Sequence, residues 1–476
     1  MVWRKIMYNL ESLKSQLNQN ASTSVQLIDS SLQKLEENKD LNAFISVLTD
    51  EAKAQALESD NRRQKAALHS EIDGIPIAIK DNLCLQCSKT TAASKMLENF
   101  VSPYTATAVQ KLKDAGAIII GKTNMDEFAM GVSSGSSYFG PVKNPLDTSK
   151  DPGGSSGGSA VAVAAKIVPL ALGSDTCGSV RQPAAQTGIV GFKPSYGRVS
   201  RYGLIALASS LDQIGFFTHT VRDAATALSI VAGLDPKDNT TIDAKSDFSE
   251  KLGQSLEGKK IGVPKEYFGK ELDPQFKAQI EATIDLLQKN GATIQEVSLP
   301  HFSYAMPCYQ VISTAEASSN LSRYDGVRYT YRSSEAKNLN DLYSKTRGEA
   351  FGEGVKHRIL LGSYVLGADA FENYFIQAQK MRTLISEDFD KAFETCDVLL
   401  NATTPKAPLA IGESSSFTES DIYTVSASLA GLPAISIPCA KVGNSPVGLH
   451  LTGNYLQEAE LLSIASACES IIQYQA

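Results

Sequence analysis

DPGGSSGGSAVAVAAKIVPLALGSDTCGSVRQP, running from Asp151 to Pro183, is the stretch on which the reading of the fold turns. It opens and closes on clusters of glycine and serine. Between them, residues 159–166 are small and apolar enough for a tightly packed helix, and IVPLALG (167–173) returns as a buried strand. A flexible Gly/Ser linker would not enclose AVAVAA and IVPLALG, so the stretch is read as a packed helix–strand unit with two special turns.

Working outward, the alternation repeats. GIPIAIKDN (74–82) is a short apolar strand ending in Lys80. Residues 107–115 form a helix that stops at Gly116, a C-cap signal, and AIII (117–120) is the buried strand that follows. KIGVPKEY (260–267), DVLLNATTP (397–405) and AISIP (434–438) read as further strands. Residues 274–290 form an amphipathic helix with Phe276, Ile280, Ile284 and Leu287 on one side. The sequence from Ser22 to about Glu58 is read as helical, with Val25, Ile28, Leu32 and Leu35 on one face. Residues of about 303–390 are mostly helical and polar, suited to a cap over one edge. Strands alternating with helices predict an α/β layer fold around a parallel or mixed central sheet. With no internal repeat or linker, the expectation is one domain over 1–476: N-terminal helices in 1–70, a core in 71–230, and the cap at 303–390.

Composition narrows the function. The 476 residues are 42% hydrophobic and 20% charged, as expected of a globular chain with a large core. The formal net charge is -7, without a basic stripe, so any nucleic-acid contact is expected to be made by a partner. Seven cysteines, odd in number and spread from Cys84 to Cys468, do not read as a disulfide framework. Cys84 and Cys87, a lone C-x-x-C, read as ordinary thiols. The start, MVWRKIMYNLESLKSQLNQN, lacks the features of a secretory signal, and no run of about 18 apolar residues predicts a membrane helix. A reducing compartment fits best, the cytoplasm or an organelle matrix after processing, and a cytoplasmic location is the expectation.

Two motifs mislead. GAIIIGKT (116–123) satisfies G-x-x-x-x-G-K-[ST], but its three isoleucines read as the strand itself, and a helix precedes it where a phosphate loop needs a strand. Residues 153–157 satisfy G-x-S-x-G, yet NPLDTSKDP before them forms no strand. The histidines such a hydrolase would need, among them His219, His301, His357 and His450, stand in no distinctive context.

A serine nucleophile still needs a base, and no histidine lies in 151–183. A lysine can serve: burial disfavours its charged form and lowers its pKa from about 10.4 by up to several units. A lysine closing an apolar strand is ordinarily a solvated end. Here Lys80, GGSSGGS and GSDTCGSVRQP together resemble the amidase signature family, in which a Ser–Ser–Lys triad replaces Ser–His–Asp. The resemblance implies a large mixed central β-sheet covered by α-helices on both faces. It also implies that Ser179 is the nucleophile, Ser155 the bridging serine and Lys80 the base. The backbone N–H groups of Thr176, Cys177, Gly178 and Ser179 would form the oxyanion hole. Cys177 departs from the family pattern, which has glycine or alanine there. A positive φ at Cys177 would be costly, so either φ is negative or the loop is strained. Cys177 is also an alternative nucleophile.

The likeness extends along the chain. KTTAASKMLENFVSPYTATAV, GKTNMDEFAMG, FKPSYGRVSRYGL, SSLDQIG, EASSNLSRYDGVRY, AQKMRTLI and LAGLPAISIP resemble the A-subunit branch of the glutamyl-tRNA(Gln)/aspartyl-tRNA(Asn) amidotransferases. That branch implies glutamine as substrate, with asparagine a poorer donor. It implies Arg358 for the α-carboxylate, Asp421 for the α-ammonium and Tyr309 as a further hydrogen-bond partner, although CYQVIS departs from the usual tyrosine pair. Ammonia would pass to a partner that converts Glu-tRNA(Gln) to Gln-tRNA(Gln), Asp-tRNA(Asn) to Asn-tRNA(Asn), or both. The implied partners are B and C subunits in a heterotrimer, with misacylated tRNA held mainly by B and no membrane contact. ATP and magnesium would belong to B, leaving no metal, nucleotide or other cofactor on this chain. GVSSGSSYFGPVKNP (131–145) departs from relatives and is expected to border the glutamine pocket. Two other readings stay open: a stand-alone amidase on other small amides, and a catalytically silent scaffold.

Overall fold

A computed structural model describes residues 8–243, 247–413 and 421–474. The first seven residues of the N-terminal segment read above lie outside the described residues.

Eleven strands form one sheet: β1 (Phe44–Val47), β2 (Pro76–Lys80), β3 (Ile118–Thr123), β4 (Leu170–Asp175), β5 (Val190–Lys193), β6 (Gln213–Thr218), β7 (Lys260–Pro264), β8 (Thr293–Val297), β9 (Val398–Ala402), β10 (Ala434–Val442) and β11 (Ser445–Gly453). Their order is β1-β3-β2-β4-β6-β5-β10-β11-β9-β7-β8. β2 runs parallel to both β3 and β4, and β7 to both β8 and β9; the remaining pairs are antiparallel, so the sheet is mixed.

β2, β3 and β4 are buried throughout, so the residues that alternate along them enter two cores, one on each face. Ile77, Ile79, Ile119, Leu170 and Leu172 enter one core, and Ala78, Ile118, Ile120 and Ala171 enter another. The second core is closed by Ile28 from the helix Ser24–Glu37, by Ala52 and Ala56 from Thr49–Gln64, and by Ala160, Ala162 and Val163 from Gly157–Ala164. The first takes Val109 and Leu112 from Thr107–Asp114 and Ala224 and Leu228 from Val221–Val231. Helices therefore cover both faces.

Two expectations need correction. The helical reading of residues 22–58 is broken: the helix ends at Glu37, Asn42 takes a left-handed φ of 53°, and Phe44–Val47 becomes an edge strand paired antiparallel with β3. A β-branched and aromatic run suits an edge better than a helix. β3 also extends beyond AIII to include Gly121, Lys122 and Thr123, so the Walker-like residues are strand. Lys122 is buried in an ion pair with Asp81 at 3.0 Å, which commits it to a carboxylate of the chain itself.

Residues 303–390 are largely helical, with helices Ala305–Asn320, Leu339–Ala350, Glu353–Val365 and Ile376–Phe393. Among the described residues no helix is long and apolar enough to cross a membrane. All seven cysteines are free, Cys84 and Cys87 included.

Candidate active site

Parallel pairing brings the carboxyl ends of β2 and β4 together, Ile79 opposite Leu172, and ligands in open α/β sheets bind outside such ends. Lys80 closes β2 with no exposed surface. Its Nζ contacts Ser155 Oγ at 2.8 Å, Ser156 Oγ at 2.7 Å and Ser174 Oγ at 2.9 Å. Burial pulls the ammonium down to about 7, against Asp126, Asp175 and Asp212, which favour the charged form. Near neutrality a large share of Lys80 is therefore a neutral amine with a lone pair.

The three hydroxyls differ in what else they bind. Ser156 Oγ donates to the Ser174 carbonyl at 3.1 Å, so it is committed. Ser174 Oγ also accepts from Asn82 Nδ2 at 3.0 Å. Ser155 Oγ has no hydrogen-bond partner except Lys80 among the described residues, so its proton can go to the lysine.

The turn that carries Ser155 is shaped by glycines. Gly153 has φ +83°, and a Cβ on Gly154 would stand 2.2 Å from Asp126 Oδ2 and 2.6 Å from the Ser133 nitrogen. The Gly154–Ser155 peptide is cis. The Gly154 N–H donates to Gln182 Oε1 at 2.9 Å, and the Asp126 N–H donates to the Ser155 carbonyl at 3.1 Å. The 131–145 loop packs behind this turn: Ser134 Oγ donates to the Gly153 carbonyl, while the Ser134 and Ser136 N–H groups donate to Asp126.

Ser179 lies between β4 and the helix Arg181–Thr187. Asp175 and Arg181, both fully buried, fix that turn. The guanidinium donates from Nε and Nη2 to the two carboxylate oxygens at 3.0 and 2.9 Å, and the Val180 N–H donates to Asp175 at 3.1 Å. Arg181 also reaches the carbonyls of Cys177 and Thr424 and Ser428 Oγ. Thr176 Oγ1 donates to Asp212 at 2.7 Å. Among the described residues, no hydrogen bond joins Ser179 Oγ to Ser155 or to any other group. Likewise the N–H groups of Thr176, Cys177, Gly178 and Ser179 make none. A turn with four successive unspent N–H donors suits an oxyanion.

Cys177 keeps a φ outside the left-handed region, so the strain considered for it is absent. Burial, with Asp421 and Asp175 nearby, pushes its thiol well above the ordinary value, which keeps it protonated and unreactive.

The residues expected to hold an amino acid gather around this turn. Asp421 is 1% exposed, and among the described residues neither carboxylate oxygen has a hydrogen-bond partner. Oδ1 lies 2.7 Å from where a Cβ on Gly178 would sit. Burial and the charge of Asp175 push this carboxyl up to about 7, with Arg181 and Cys177 opposing. An unpaired buried carboxylate is costly, and an incoming ammonium would relieve that cost. Tyr309 is buried on Ala305–Asn320; burial raises its phenol, Cys177 and Asp421 add to the rise, and Arg358 opposes it. Arg358 is half-buried on Glu353–Val365, within the field of Tyr309 and Asp126. The two helices approach closely because Gly362 faces the Thr314 carbonyl, which a Cβ would meet at 1.9 Å.

The sequence reading missed Asn82, Ser156 and Ser174 around the lysine, and Asp126, Asp175 and Arg181 behind the turns. The signals available were the aspartate in NMDEF and the Asp–Arg pairing across SDTCGSVR. Two of the histidines are engaged elsewhere: His450 contacts Arg181 and Asn401, and His301 pairs with Asp388. Among the described residues no group of three or more His, Cys, Asp or Glu side chains could hold a metal.

Residues 26–462 match the family model described as Amidase. The A subunit of the glutamyl-tRNA(Gln) amidotransferase from Koribacter versatilis is 48% identical, the match covering 97% of each chain. Its namesake from Coxiella burnetii (strain RSA 493 / Nine Mile phase I) is 50% identical, over 96% of this chain and 95% of its own. Among solved structures, the A subunit of the glutamyl-tRNA(Gln) amidotransferase from Thermotoga maritima superposes with a TM-score of 0.82 at 39% identity, covering 98% of this chain and 95% of that one. The native peptide amidase from Stenotrophomonas maltophilia gives 0.85 at 29% identity, covering 98% and 97%.

Proposed function

The chain belongs to the amidase family, and from that premise we propose that it is the glutaminase component of a tRNA-dependent amidotransferase, reacting through Ser179, Ser155 and Lys80. The observation that carries the reading is the buried Lys80 amine, 2.8 Å from a Ser155 hydroxyl that has no other partner among the described residues.

In the proposed mechanism Ser179 Oγ attacks the side-chain amide carbon of glutamine. Its proton passes to Ser155 Oγ as the Ser155 proton passes to Lys80 Nζ. The carbonyl oxygen, now negative, takes the free N–H groups of Thr176 to Ser179. Collapse breaks the C–N bond, and the proton returns from Lys80 through Ser155 to the leaving nitrogen, releasing ammonia. Water then hydrolyses the glutamyl–Ser179 ester to glutamate. Arg358 takes the α-carboxylate, Asp421 the α-ammonium, and Tyr309 lies beside them.

The finer assignments are part of the same proposal. Ammonia goes to a B subunit that uses ATP and magnesium to amidate misacylated tRNA, with a C subunit completing the heterotrimer in the cytoplasm. A net charge of -7 without a basic stripe suits a chain that leaves tRNA to its partner.

The test is ammonia release from glutamine by the purified chain, alone and then with the B and C partners, ATP and misacylated tRNA. Strong stimulation by the full set is expected. Full activity alone, without stimulation, would replace this reading with a stand-alone amidase. Silence in both conditions would make the chain a scaffold.

A further inference from the structure

Glu127 plays no part in the chemistry above, yet it is 5% exposed and joins two distant parts of the chain. Its carboxylate accepts the Gly352 N–H, at 2.9 Å on Oε2 and 3.2 Å on Oε1, and the Ser94 hydroxyl at 2.5 Å. Gly352 is the N-cap of the helix Glu353–Val365, which carries Arg358 on its second turn. One residue earlier, Asp126 donates its N–H to the Ser155 carbonyl. The dipeptide Asp126–Glu127 therefore touches the turn of the bridging serine with one residue and the helix of the carboxylate-binding arginine with the next.

The link is stiffened by its neighbours. Phe128 and Ala129 both hold left-handed backbone, at φ 50° and 61°, which side chains with a Cβ rarely adopt. The Phe128 ring packs against Tyr324 at 5.1 Å and Phe351 at 5.6 Å, the latter beside Gly352. Burial pushes the Glu127 carboxyl up to about 7, with the Ser94 and Gly352 bonds holding it back.

We propose that Glu127 is a positioning residue that fixes the span between Ser155 and Arg358 and so matches the site to the length of glutamine. The proposal rests on Arg358 binding the α-carboxylate. Asparagine is one methylene shorter, so a loosened span lets the two amides be treated more alike. An amide without a carboxylate, such as butyramide, does not use the span.

Two variants address the same contact from opposite sides. Glu127→Gln weakens the acceptor. Gly352→Ala places a Cβ 2.4 Å from Glu127 Oε2, the movable end of a side chain, and displaces the carboxylate while leaving Glu127 in place. For the full chain, kcat and KM are measured with glutamine, asparagine and butyramide, alongside Arg358→Ala. Each variant is expected to raise the glutamine KM about tenfold. The preference for glutamine over asparagine falls, and butyramide hydrolysis changes far less. Equal losses on glutamine and butyramide, or no loss on either, overturn the positioning role. If Arg358→Ala raises the glutamine KM and neither variant does, the positioning role fails alone. If Arg358→Ala leaves that KM unchanged, the carboxylate reading fails and takes the positioning role with it.

Discussion

Lys80 and Ser155 meet at 2.8 Å where neither residue has exposed surface. The contact makes burial useful: water is excluded, the amine is brought down to about 7, and a neutral base stands ready at physiological pH.

A pH limb follows from that shift. In the proposed mechanism turnover requires the neutral amine, so kcat should fall about tenfold per pH unit below about 7 and level off above it. Lys80→Ala should remove ammonia release while the fold persists. Near-normal release by this variant, or a kcat indifferent to pH from 5 to 8, would remove Lys80 from its role.

Asp421 predicts a second limb, in KM. Its carboxyl is held up to about 7 in the empty site, so below that pH it is protonated and loses its grip on an ammonium. The glutamine KM should fall as pH rises through about 7. Asp421→Asn should raise KM by about tenfold or more and flatten this dependence. An unchanged KM profile in the variant would rule the ammonium contact out.

The Asp175–Arg181 pair should show its weight in stability. Both side chains are fully buried, so Asp175→Asn or Arg181→Met leaves an uncompensated charge or unsatisfied donors, at a cost of about 3–5 kcal/mol. Denaturant unfolding measures it directly. A loss below about 1 kcal/mol would mean the turn is held by other contacts.

Cys177 should prove dispensable. Its thiol is buried and protonated and its φ is ordinary, so Cys177→Ala should keep activity within about threefold. Ser179→Ala should abolish it. The reverse order in an ammonia-release assay would make the cysteine the nucleophile.

Much of this site was legible before the structure because local pattern carried it. An apolar run ending in lysine and two glycine–serine turns flanking a helix and strand mark β2, the Ser155 turn and the Ser179 turn. Asn82, Ser156 and Ser174 were not legible as neighbours of Lys80, because the register of β2 on β4 brings them together. Arg358, Asp421 and Tyr309 came through family likeness alone; no local pattern marks a half-buried arginine on a cap helix. The strand at Phe44–Val47 was missed because a helical period on either side concealed four edge residues. In Gly121–Thr123, conversely, a loop-like motif turned out to be sheet, since Asp81 supplies the buried partner for Lys122.

The bonds of Arg181 also bear on how an active molecule comes into being. Two of its acceptors, the Thr424 carbonyl and Ser428 Oγ, lie more than two hundred residues downstream. During synthesis Lys80, Ser155 and Ser179 therefore emerge long before Thr424 and Ser428, and Arg181 completes its bonds only once those residues have been made. A polypeptide ending before Thr424 lacks two of the acceptors that Arg181 uses, so the scaffold behind the Ser179 turn is completed only after residue 428 has been made.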